Sequence, residues 1–298
     1  MNIGRLRNKA RLFLSSLVIA TALTGPTCKS ENKTISSDDV GPVVFDKPSP
    51  SLILDLSNEN FDWLSINTRH FRIYYERDSY ASAHIRYLIE ATEESVQRAL
   101  SIIERPSYND GIILLVVSSR AEMNDLIGMS VKGISIIGTN LVYMVYNENV
   151  RPYLRHEIMH KVSISLLGEP PAWIREGSGM YADGSCLDYE NPFDIIAAFL
   201  MNRNMLIPLE DFVNNFEKYA GENDLIAYLQ AASLFKYIYE NYGWKKMEEL
   251  WNNEPDEFPD ILGKSYLQTE KGWRSYLKGV DIGEVDLDWN ELMEKGCG

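Results

Sequence analysis

Residues 112–117 read Ile-Ile-Leu-Leu-Val-Val, six consecutive aliphatic side chains with Gly111 before them and Ser118 and Ser119 after. A run this short, bounded by turn formers, suits a strand, and strand side chains alternate between two faces, so both faces must be covered. The chain therefore needs packing layers on either side of a sheet, and the flanking sequence supplies them. His70 to Glu76 alternates apolar and polar residues as a half-buried strand does. Ser79 to Glu104 carries Ile85, Leu88, Ile89, Ala91 and Val96 at helical spacing ahead of Pro106. Arg120 to Ile127 reads as a short helix, and Gly133 to Tyr146 as two strands around Gly138-Thr139-Asn140, the second being Leu141 to Tyr146. Beyond Asp183 the pattern is almost wholly helical, over Ile195 to Met205, Leu209 to Tyr219, Leu225 to Tyr242, Trp244 to Trp251 and Trp273 to Leu277. The expected class is α+β, a small mixed sheet packed on helices and followed by a helical C-terminal part, with boundaries at 51–210 and 211–298.

The first eleven residues carry Arg5, Arg7, Lys9 and Arg11 with no acid, and Leu12 to Leu23 is apolar or small throughout. This is the pattern of an export signal, and the apolar run is too short to span a bilayer comfortably. Cleavage after Ala22 gives a signal of residues 1–22. Cleavage ahead of Cys28, with lipid on that cysteine, extends it to 27. Residues 23–50 read as a polar linker with Pro42, Pro48 and Pro50. The expected location is outside the cytoplasm: periplasmic, secreted, or held to a membrane through Cys28 alone. Acidic residues number 43 against 29 basic ones, a formal net charge of −14, which argues against a nucleic-acid partner. Three cysteines are too few for a disulfide framework, and pairing of Cys186 with Cys297 or two free thiols are both compatible with the sequence.

Two of the four histidines fall in His156-Glu-Ile-Met-His160. On a helix, positions i and i+4 lie one turn apart on one face, so His156 and His160 can offer imidazole nitrogens to one zinc ion. Glu157, about 100° around the helix, is placed to deprotonate a water instead. Asn147 to Asn149 as cap and Pro152 in the first turn start the predicted helix, which ends near Gly168. Leu154, Ile158, Val162 and Leu166 form its core stripe, and His156, His160 and Ser163 a stripe free to line a cleft. A catalytic zinc takes three protein ligands. His70 begins a strand and His84 sits on a distant helix, so the third ligand is expected to be a carboxylate, with Glu176 on the next predicted helix the candidate.

The motif together with Pro171-Ala-Trp-Ile-Arg-Glu-Gly-Ser-Gly-Met-Tyr181 resembles the gluzincin metallopeptidases, the thermolysin and aminopeptidase N clan, and in particular its peptidase MA-like branch. The similarity extends over residues 70–278, through His70-Phe-Arg-Ile-Tyr-Tyr75, Tyr228 to Tyr237, Tyr242-Gly243 and Trp273 to Leu277. It implies a zincin-like fold with a zinc cleft between the sheet part and the helical part, one zinc ion held by His156, His160 and Glu176, and Glu157 as general base. It also implies an oxyanion donor from the helical half, for which Tyr228 is the candidate, and a peptide or protein substrate. The chain departs from the pattern at Ser178 and Gly179, where a hydrophobic residue and alanine are usual, and at Met180, where thermolysin has an aspartate that orients the first histidine. Asp183 is the candidate to orient it here.

Leu141 to Tyr146, just ahead of the zinc helix, is the expected sheet edge for an extended substrate. Two other functions use the same residues: an inactive pseudo-peptidase that binds at a surface, and a zinc hydrolase acting on a non-peptide amide. Glu157 speaks against the first, since a glutamate there has little purpose in holding zinc alone.

Overall fold

A computed structural model describes residues 49–186, 189–190, 192–282 and 292. The export signal, the linker as far as residue 48, Cys28 and Cys297 lie outside the described residues. Five strands, Trp63–Asn67 (β1), Phe71–Glu76 (β2), Ile112–Val117 (β3), Gly133–Ser135 (β4) and Leu141–Val145 (β5), form one sheet in the order β1-β2-β3-β5-β4. The aliphatic run is thus its central strand. Leu114 of β3 stands opposite Ile73 on one side and Val142 on the other, both pairings parallel, whereas β1 and β4 are antiparallel edges.

Alternation along β3 splits the interior as its composition requires. Ile112, Leu114 and Val116 join Phe71, Ile73, Val142 and Met144 in the main core, while Ile113, Leu115 and Val117 join a smaller one with Leu52, Met123, Leu141 and Tyr143. The smaller core takes side chains from helices Pro50–Leu56 (α1) and Arg120–Ile127 (α4), and the main core from Tyr80–Ala83 (α2), Ile85–Ile102 (α3), Leu154–Leu167 (α5) and Ala172–Asp183 (α6). The fold is α+β and mixed-sheet, as expected. A short pair, Ser185–Cys186 (β6) and Tyr189–Glu190 (β7), leads to Phe193–Asn202 (α7), Leu209–Asn214 (α8), Phe216–Glu222 (α9), Asp224–Tyr242 (α10), Trp244–Trp251 (α11), Phe258–Leu262 (α12) and Tyr266–Lys278 (α13). Cys186 is disulfide-bonded.

Three expectations are corrected. β5 is not the sheet edge: it lies between β3 and β4, and its five residues are all buried. The edge is β4. The helix through the motif begins at Leu154 without a side-chain cap, because Asn147 accepts from the backbone N–H of Asn149 and Val150, each at 2.9 Å, and closes a turn of its own. Ser163 does not line a cleft; it is buried, and its hydroxyl donates to the Met159 carbonyl at 2.6 Å.

α6 packs directly on α10, and Gly177 is why it can. A Cβ at Gly177 would lie 2.6 Å from the Ala231 carbonyl oxygen and 2.9 Å from its carbon, and a helix backbone cannot yield as a side chain can. Gly177→Ala is expected to cost about 2 kcal/mol, read as a lower urea midpoint at unchanged slope. An unchanged midpoint would show that the two helices have room to part.

Candidate metal centre

Eight consecutive residues of α5, His156 to Ser163, are buried, so the motif sits inside the molecule and not on a solvated face. After α5 the chain turns at Gly168 with φ +86°, a left-handed conformation that glycine adopts without strain. The Gly168 carbonyl accepts from the Trp251 indole at 2.9 Å, which pins the turn, and Pro171 then launches α6 back across α5. That return brings Glu176 over the two histidines.

Glu176 Oε2 lies 3.3 Å from His156 Nε2 and 3.6 Å from His160 Nε2. Around a tetrahedral zinc with bonds of about 2.0–2.1 Å, neighbouring donors stand roughly 3.3–3.4 Å apart. The spacing therefore fits such an ion. The Nδ1 atoms of both histidines are buried without a hydrogen-bond partner among the described residues, so at that edge packing aims the rings. Tyr153 stacks on His156 at 4.7 Å between centroids, and the two imidazoles meet edge to face at 4.5 Å. Gly179 closes the other side, where a Cβ would come within 2.8 Å of His156 Cε1 and 2.9 Å of His160 Cε1. The glycine that departs from the family pattern lets the α6 backbone rest against both rings.

Electrostatics concentrate negative charge at the same point. Burial on its own raises the Glu176 carboxyl, but hydrogen bonds from His156 and His160 outweigh it and hold the group far below the usual carboxylate range. For His156 burial works against the charged form and contact with Glu176 overrides it, raising the imidazole. Arg175 holds the far side of the ligand, its Nε donating to Glu176 Oε1 at 3.0 Å and its Nη1 to Glu169 at 2.9 Å.

A cleft of about 660 Å³ opens over the cluster. Glu157 and Tyr228 line it, as do Gly133 to Ser135 of the edge strand. Glu157 makes no side-chain hydrogen bond or ion pair among the described residues, and Gly133 leaves it room: a Cβ there would meet Glu157 Cγ at 3.2 Å. The Tyr228 phenol is pushed up by burial and then by the charge of Glu176, so it remains a hydrogen-bond donor. Asp183 ends α6 and is raised by burial; its Oδ2 accepts from Ser185 at 2.8 Å and it bonds neither histidine. His70 pairs with Glu93 at 2.6 Å and, with His84, stays outside the cluster. Among the described residues, the one group able to hold a metal ion is His156, His160 and Glu176.

The family model described as Peptidase MA superfamily matches residues 123–293, more than half of the chain. The chain belongs to the peptidase MA superfamily. No curated protein matches it. For a peptidase MA member the matched span holds every residue described above at the cluster, and membership together with the donor set points to a metallopeptidase-like site. Sequence reading missed Tyr153, Arg175, Gly133 and Gly179. Arg175 carried a signal of sorts, as the residue adjoining Glu176, but the others act through contacts that only the fold creates.

Proposed function

We propose that the protein is a zinc-dependent metallopeptidase that hydrolyses peptide bonds, with His156, His160 and Glu176 holding one zinc ion. The observation that carries this reading is the convergence of three buried donors at 3.3 and 3.6 Å beneath a cleft that also holds Glu157, which has no hydrogen bond or ion pair among the described residues. Zinc, when bound, supplies a Lewis acid that polarises a carbonyl and brings the pKa of water to about 7.

The chain's own residues supply the rest. Glu157 takes the proton of the attacking water and returns it to the leaving nitrogen, for which its carboxylate has no hydrogen bond or ion pair to give up among the described residues. Tyr228, which lines the same cleft, donates to the carbonyl oxygen as negative charge develops there. The edge strand β4 offers backbone groups to an extended substrate. Arg175 keeps Glu176 oriented, and Tyr153 and Gly179 keep the imidazoles facing it. We propose in addition that the protein acts outside the cytoplasm, as residues 1–22 indicate, with Cys28 a lipid attachment point if cleavage falls ahead of it.

The test is metal content and turnover on the same sample. Purified protein is expected to carry one zinc per chain, to lose cleavage of a quenched peptide library on chelation, and to regain it when zinc is returned. Protein that retains zinc but cleaves nothing would instead mark a binding protein. Absence of zinc after purification in zinc-replete buffer would overturn the proposal.

A further inference from the structure

Three cations line the cleft: Arg120, Lys132 and Arg175. Arg175 is committed to Glu169 and Glu176. Arg120 and Lys132 are different, since neither side chain forms an ion pair or hydrogen bond among the described residues. Both border the same cleft, close enough for the charge of one to bear on the other. Lys132 is held below the ordinary lysine value, first by burial and then by the charge of Arg120. In a chain with 43 acidic and 29 basic residues, two like charges left side by side without a counter-ion repel each other in the free protein. An entering anion relieves that repulsion.

Their place in the fold says which anion. Arg120 opens α4, and Lys132 immediately precedes β4, its carbonyl accepting from Val145 N–H at 2.8 Å. The next residue, Gly133, is the one whose missing Cβ makes room for Glu157. A chain laid along β4 advances about 3.3 Å per residue, so whatever passes Glu157 reaches Lys132 within one or two residues. We propose that Arg120 and Lys132 form a carboxylate-binding subsite of this cleft, selecting substrates that carry a carboxylate within about two residues of the cleaved bond. The proposal rests on the peptidase reading above and deepens it. The carboxylate is supplied by an acidic side chain or by the substrate's own C-terminus, because both present the same two oxygens to an arginine and a lysine.

The probes are internally quenched peptides of one neutral sequence in which glutamate, glutamine or lysine occupies each position in turn, every peptide made with a free and with an amidated C-terminus. They are tested on the zinc-loaded wild type, on Arg120→Ala/Lys132→Ala and on Arg120→Glu/Lys132→Glu. The wild type is expected to favour glutamate over glutamine at one position, or the free over the amidated end, on the order of tenfold in kcat/KM. The first outcome assigns the site to a side chain, the second to the C-terminus. The ratio falls to about one in the alanine pair, and the glutamate pair turns it toward lysine. Binding of the same peptides, dye-labelled, to zinc-loaded Glu157→Gln gives a second readout that needs no turnover. Turnover or binding without charge preference, or a preference that survives in the alanine pair, overturns the subsite. If no peptide is cleaved yet Glu157→Gln binds with the expected preference, and the alanine pair in that background abolishes it, the hydrolytic reading falls and the subsite stands.

Discussion

Glu157→Gln is expected to keep its zinc and to lose roughly a thousandfold in peptide turnover. Glutamine matches glutamate in size, and the space that Gly133 leaves beside the side chain accepts either. No ion pair or hydrogen bond of Glu157 among the described residues is lost, so the fold has no reason to change. Zinc stays because Glu157 is not among the three converging donors. What disappears is a base, since an amide cannot take a proton from water at neutral pH. Zinc stoichiometry by elemental analysis and kcat/KM on one quenched peptide read the two effects separately. A variant within tenfold of wild type would place the base elsewhere.

The second large effect is expected at a residue with no chemistry of its own. Gly179→Val should weaken zinc binding on the order of a hundredfold, the upper range seen when the groups supporting a metal ligand are removed. A Cβ at this position already falls inside contact distance of both imidazoles, and valine adds two methyl groups. In the metal-free protein the rings are held by packing and by Glu176, and they can yield to the valine only by giving up those contacts. Once bound to zinc they are fixed at both ends and cannot. The melting temperature in chelator should therefore fall somewhat below the wild-type value, and the rise on adding zinc should shrink as well. Equal zinc affinity in a dye-competition titration would show that α6 has slack that its close approach conceals.

These two residues also mark how far the sequence could be read. The place of Glu157 beside the histidines was legible because it depends on spacing within one helix turn, and that of Glu176 because it follows on the next helix within a segment that resembles a known pattern. The central strand was legible because six aliphatic residues have few alternatives. Gly179 was read only as a departure from the family pattern, since its contact with two side chains of another helix has no trace in local spacing. The edge strand was misplaced for a related reason. Leu141 to Val145 stood next to the motif in sequence, but its unbroken apolar character already suited an interior strand, and a three-residue Gly-Ile-Ser strand gives little periodicity to find. Helix breaks were equally hidden. The predicted helix from Ser79 divides at His84, whose Nδ1 bonds the Tyr80 carbonyl at 2.9 Å and whose ring stacks on Tyr80 at 3.9 Å.

One further contact ties the cleft together. Lys161, the residue after the second histidine, is buried, and its ammonium donates to the carbonyls of Ile136 and Thr139 in the turn between β4 and β5. The helix that carries Glu157 thus holds the edge strand by a bond of its own. Edge strand and base are thereby joined through α5, the helix that also bears His156 and His160. A load placed on the turn after β4 is therefore carried to the helix that holds Glu157 and two of the three donors at once.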